Sequence, residues 1–132
     1  MKSFSLQHVH FIPKQIEEGI LYYSDEFEIA VHLCPCGCKN RIVTPIGPVD
    51  WSFKEEYGKP TLYPSIGNWQ IPCRSHYWIT KGEVTWSRQW SDKEIMAGRE
   101  NEQMQKEMYY NKKKKKHFAR KLFNWIYRKS GN

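Results

Sequence analysis

The 132-residue sequence contains no apolar run approaching the roughly twenty residues that a membrane-crossing helix requires. Residues Met1 to Pro13 mix polar and apolar types and lack the apolar stretch of a secretory leader. A cytoplasmic protein with no transmembrane segment is therefore expected. No internal repeat is present, which argues against a solenoid or propeller. A Gly-rich phosphate loop, a His-Glu-x-x-His helix and a Gly-x-Ser-x-Gly elbow are all missing. Those absences remove the nucleotide-cradling, zincin and α/β-hydrolase readings that rest on such motifs. Cysteine is scarce, with only four residues, and a reducing cytosol would keep them from pairing as disulfides.

Aromatic residues, by contrast, are plentiful. They make up 15% of the chain, including six Trp and eight Tyr, enough to give a small core large buried area per residue. The net charge of +7 is unevenly placed. Residues 1–90 carry nine Lys/Arg and nine Asp/Glu, whereas residues 91–132 carry twelve and five. The whole excess thus lies in the last third, and the shift marks a boundary near Trp90. We expect a mainly-β, zinc-stapled domain over residues 1–90 and a basic helical extension over 91–132.

Three of the four cysteines fall within Cys34-Pro35-Cys36-Gly37-Cys38. The fourth, Cys73, is followed by His76 at C-x-x-H spacing. Thiolates and imidazoles paired at short spacing on two separate loops are the signature of a Zn2+ site. Five donors compete for four positions: Cys34, Cys36, Cys38, Cys73 and His76. The usual gap favours Cys34 with Cys38 and Cys73 with His76, and a C-x-C chelate through Cys36 is the other option. Four protein ligands would make a closed, structural site. Three would leave a water that zinc can activate.

Phe27, Ile29, Val31 and Leu33 alternate with Glu28, Ala30 and His32, which reads as a half-buried strand running into the cysteines. Arg41 to Thr44 reads as its partner, placing the cluster at a hairpin tip where Gly37 can take special backbone angles. Strands are also expected over residues 5–12, 20–23 and 61–63, the last stopped by Pro64. Residues 45–60, rich in Pro and Gly, read as mostly loop, with Trp51 and Phe53 packing back on the core. Tyr77 to Thr80 and Glu83 to Trp86 read as a hairpin around Lys81-Gly82, pairing Ile79 with Val84 and Tyr77 with Trp86. Ser91-Asp92-Lys93-Glu94 is a capping box opening a helix from Asp92 to about Asn111. After Lys112 to Lys116, a short basic amphipathic helix carries Phe118, Leu122, Trp125 and Ile126, flanked by Arg120, Lys121, Arg128 and Lys129.

Several strings together resemble one family. They are Ile12-Pro13, Gly19-Ile20-Leu21-Tyr22, His32 to Cys38, Pro64-Ser65-Ile66-Gly67-Asn68-Trp69 and Cys73 to Ile79. They are similar to the bacterial family catalogued as domain of unknown function 6527, with Lys39 where that family often has Gly. The resemblance covers about residues 5–90. It implies a small zinc-binding protein, some of whose relatives are encoded beside ubiquitin-like proteins and their E1-like and E2-like conjugating enzymes. It further implies a peptidase that trims or removes a ubiquitin-like modifier. It supplies no agreed catalytic set.

Two functions follow as expectations. One is a zinc-dependent peptidase, with Glu28 as general base, His32 orienting or binding, and Ser65 as nucleophile or oxyanion-side donor. On the blander view Glu28 and His32 are the solvent side of a strand and Ser65 bonds local backbone. The other is a non-catalytic adaptor with a structural zinc, whose basic tail binds nucleic acid, an anionic membrane surface or an acidic protein.

Overall fold

The computed structural model describes residues 2–130, and their side chains through Ile126. The chain divides into two compact units, Met1–Ser91 and Asp92–Asn132. The first is all β, with two four-stranded sheets, and the second is a single helix. The expected mainly-β architecture with a helical C-terminal extension is therefore what the chain adopts.

In the first sheet β1 (Ser5–His8), β2 (Ile20–Ser24), β3 (Ile29–Leu33) and β4 (Arg41–Pro45) lie in sequence order. β1 runs parallel to β2, with Leu6 opposite Leu21, and the other neighbours are antiparallel. β1 is shorter than the strand expected over residues 5–12. The second sheet is an antiparallel meander of β5 (Ser52–Glu56), β6 (Lys59–Gly67), β7 (His76–Thr80) and β8 (Glu83–Trp86). Ahead of β1, the N-terminal segment lies along β8: Val84 N–H donates to Lys2 O and Phe4 N–H donates to Gly82 O. It covers that edge, which would otherwise leave unpaired backbone groups.

The core lies between the sheets. Leu21, Ala30, Cys34 and Ile42 come from the first, and Leu62, Ile66, Tyr77, Ile79 and Val84 from the second, joined by Phe4. Trp51 and Phe53 pack against this cluster, as expected, with Phe53 stacked on Tyr23 at 3.8 Å. The β7–β8 register pairs Ile79 with Val84 and Tyr77 with Trp86. Both turn residues, Lys81 (φ 49°) and Gly82 (φ 79°), are left-handed, as a primed turn demands. Trp86 nonetheless stays 50% exposed rather than entering the core.

Four expectations need correction. Residues 45–60 are not mostly loop: β5 occupies Ser52–Glu56 and turns through Tyr57-Gly58, both at positive φ, into β6. Pro64 does not stop β6, which continues to Gly67 with a register irregularity between Leu62 and Ile66. Proline lacks an N–H and is tolerated at such an irregularity. Phe27 and Glu28 lie in the turn before β3, and β3 is buried on both faces, with Ala30 and His32 toward the other sheet and Val31 away from it. Finally, the helix does not end near Asn111. α1 spans Asp92–Ser130 without a break, because lysine is a good helix former and residues 99–130 contain no Gly or Pro.

Candidate functional site

β3 delivers Cys34 into a tight loop over residues 34–40. Cys34 N–H donates to Asn40 O at 2.9 Å and Gly37 N–H donates to Cys34 O at 3.2 Å. Gly37 takes φ 93°, a conformation that only glycine adopts readily. The loop between β6 and β7, residues 68–75, faces it. Its base is closed by Asn68 N–H donating to Ser75 O at 2.8 Å.

Between the loops the sulfurs of Cys34, Cys36, Cys38 and Cys73 all lie within 4.8 Å of one another. Cys34 Sγ is 3.4 Å from Cys36 Sγ and 3.8 Å from Cys73 Sγ, and Cys38 Sγ is 3.8 Å from Cys73 Sγ. These separations are far beyond a disulfide bond of about 2.05 Å. Two of them equal the edge, about 3.8 Å, of a tetrahedron whose arms are metal–sulfur bonds of about 2.3 Å. The four cysteines are free, and such a group can hold a metal ion.

Polar hydrogens point at these sulfurs. Asn40 Nδ2 lies 3.1 Å from Cys38 Sγ, Ser75 Oγ 3.2 Å from Cys73 Sγ, Asn68 Nδ2 3.7 Å from Cys34 Sγ and Cys38 N 3.3 Å from Cys36 Sγ. Donors of this kind orient thiolates and offset their charge. They act unevenly. Burial pushes the Cys34 thiol up to about 12. At Cys38 burial also opposes ionisation, but the Asn40 N–H and carboxamide and the Cys36 and Cys34 thiols outweigh it and bring the thiol down to about 6. A buried thiol such as Cys34 ionises readily only beside a cation, so the donor chemistry suits a bound metal.

His76 stands outside this group of four. Its ring nitrogens have other partners: Nε2 lies 2.8 Å from Ser65 Oγ, and Nδ1 lies 2.6 Å from the main-chain oxygen of Arg88. A carbonyl oxygen can only accept, so Nδ1 carries the hydrogen of the neutral ring. Nε2 is then left as the acceptor for the Ser65 hydroxyl. This arrangement follows from the sheet. Gly67 pairs with His76 across β6 and β7, so Ser65, two residues back on the same face, sits on the diagonal from His76. Trp51 Nε1 donates to Ser65 O at 3.2 Å and holds the serine backbone.

Two indoles wall the imidazole. Trp69 and Trp90 meet it edge-on at centroid distances of 5.0 and 5.4 Å and stack on each other at 5.5 Å. Trp69 folds back over Gly67, where an added Cβ would lie 2.4 Å from the indole Nε1. Tyr63 and Trp78, each two residues along its strand from Ser65 and His76, meet at a ring-centroid distance of 5.9 Å.

Glu28 and His32 lie elsewhere. Glu28 is exposed at φ 52°, at the opposite end of β3 from Cys34. Six residues of extended chain separate the two, roughly 20 Å. His32 is fully buried, and its Nε2 lies 2.7 Å from Tyr77 Oη. Asn68 Nδ2 donates to the same phenol at 3.2 Å, so the phenol's own hydrogen goes to His32. His32 Nδ1 is left buried without a partner. Burial lowers this imidazole to about 3, so it is neutral.

In the sequence Ser65 and His76 stand out separately and are not joined, because C-x-x-H spacing groups His76 with the cysteines. Arg88 and Asn40 carry no such signal, Trp90 enters only as the charge boundary, and Asn68 and Trp69 only within the string from Pro64 to Trp69. The usable signal was Ser65-Ile66-Gly67 read as a strand antiparallel to His76-Tyr77, which Pro64 concealed.

Among the described residues no helix is long and apolar enough to cross a membrane. No curated protein and no solved structure matches the chain. The name domain of unknown function 6527 is not confirmed, whereas the ubiquitin-like setting that it implied is. Residues 8–87, which hold both loops and both strands of the site, match a family model described as bacterial ubiquitination-like system serine protease. The chain belongs to this family, BubE.

Proposed function

We propose that the protein is a serine hydrolase that cleaves an acyl bond at the C-terminus of a ubiquitin-like protein. In this reading Ser65 is the nucleophile and His76 its base. The observation that carries it is the 2.8 Å contact of Ser65 Oγ with His76 Nε2, combined with the Nδ1 bond to Arg88 O. The family description supports the same chemistry. The pathway's ubiquitin-like protein and its E1-like and E2-like enzymes are the partners to test.

The steps follow the generic serine pattern. Ser65 Oγ attacks the scissile carbonyl as its proton passes to His76 Nε2. His76 then donates that proton to the leaving amine, the C–N bond breaks and an ester to Ser65 remains. Water, deprotonated by His76, hydrolyses the ester and frees both the carboxylate and Ser65. The Arg88 carbonyl does what a carboxylate does in a triad: it sets the tautomer and the ring angle. Trp69 and Trp90 exclude water from the flanks of the imidazole.

Cys34, Cys36, Cys38 and Cys73 would hold Zn2+, which four thiolates suit. The ion would supply charge and a staple, since four protein ligands close its shell. Cys73 belongs to the loop joining Ser65 to His76, so the staple would fix the strand ends that carry the reacting groups. Glu28 and His32 have no part in this reaction.

The test is cleavage of a ubiquitin-like protein fused through its C-terminus to a reporter. The intact protein should release the reporter, and Ser65→Ala should lose about 10³-fold or more in rate. Cleavage by Ser65→Ala at the unaltered rate would overturn the assignment.

A further inference from the structure

The proposed hydrolase uses nothing beyond Trp90, yet all of the chain's excess charge lies past that residue. Within α1 the residues from Lys112 to Ile126 include seven Lys/Arg and no acid. The last part of this stretch, His117 to Ile126, is sharply two-sided. At about 100° per residue, Trp125, Phe118, Leu122, Ile126, Ala119 and Phe123 fall within one arc of about 160°. His117, Arg120, Lys121 and Asn124 fill the rest. Phe118 is 69% exposed and Leu122 47%, and Lys112 to Lys116 form a cationic collar just before them.

We propose that this segment of α1 is a docking surface for an anionic lipid bilayer, lying in the headgroup plane with its apolar arc inward. The partner must be both anionic and apolar, and a bilayer with acidic headgroups meets both demands. A second copy of the helix meets only one. Its cations would face those of the first, and the arc is far wider than the narrow a/d seam of a coiled coil. A nucleic acid would answer the lysines and leave six apolar side chains in ten residues without a role.

The experiment is flotation of the full-length protein with vesicles. One set is pure phosphatidylcholine and the other is equimolar phosphatidylcholine and phosphatidylglycerol. Binding should be confined to the acidic vesicles and should weaken as salt rises. Changing Lys113, Lys114 and Lys115 together to Gln should reduce binding about a hundredfold. Phe118→Ser with Leu122→Ser should abolish it, with circular dichroism verifying that the helix persists. If helicity is lost, Phe118→Leu with Leu122→Ala, which keep helix-forming residues, should still weaken binding. Equal binding to both vesicle types would overturn the proposal. So would undiminished binding by the Ser or Leu/Ala pairs, tighter binding to duplex DNA than to acidic vesicles, or self-association that blocks vesicle binding.

Discussion

Ser65 and His76 derive their proposed reactivity from hydrogen bonding rather than from a neighbouring acid. Because Arg88 contributes a dipole and not a charge, the imidazole's orientation is what a substitution should disturb most. His76→Asn should cut turnover about as deeply as Ser65→Ala, and the double variant should be little worse than either, because the pair acts as a unit. Steady-state rates of the three variants check this. His32 offers a different residue-scale prediction. Its folded value of about 3 lies below the ordinary imidazole value, so the unfolded chain binds the proton first as pH falls. The stability that its neutral form contributes is complete above about pH 6.5 and is lost toward pH 3, at roughly 1.4 kcal/mol per unit. Metal-loaded His32→Gln, compared with the unaltered protein by denaturant melts at several pH values, should show a flatter acid limb. Parallel limbs would exclude this account.

At the scale of elements, the β6–β7 pair is the decisive feature. Its irregularity between Leu62 and Ile66 sets Ser65 on the face of His76, and Gly67 leaves the space that Trp69 fills. Gly67→Ala would drive a methyl group into the indole. We expect a loss of about 1–3 kcal/mol in stability and a fall in turnover larger than any change in KM. Thermal melts and kinetics together check both. The same elements explain what the sequence made legible. The β7–β8 hairpin was readable to its register, since Lys81-Gly82 sets a primed turn and the flanking residues alternate. The cysteine hairpin was readable because short spacing constrains geometry locally. The Ser65–His76 contact was not, because it depends on β6 continuing through Pro64, where the sequence signals a stop. His32 reads from the sequence as a group orienting or binding at the metal or, more blandly, as the solvent side of a strand; the tertiary structure buries it against Tyr77 instead. The length of α1 is not legible because Lys112 to Lys116 carry no apolar periodicity to join the two helical patterns, although each lysine favours helix.

For the whole molecule, the four sulfurs bring a loop of one sheet beside a loop of the other. A 91-residue β unit has a limited core, and a metal bridging its two layers would add to the stability that the core supplies. Cys73→Ser should lower the metal content and bring the melting temperature down by more than about 10 °C. It should also slow turnover although both proposed reacting groups remain. Elemental analysis, melting curves and reporter cleavage test the three parts. The most direct test of the central claim is covalent capture. The protein is incubated with a fluorophosphonate, which esterifies activated serines, and the adduct is mapped by mass spectrometry. One adduct, on Ser65 and absent in His76→Asn, is the predicted result. An adduct on Ser75 or another serine, or none from protein that cleaves its substrate, would contradict the account.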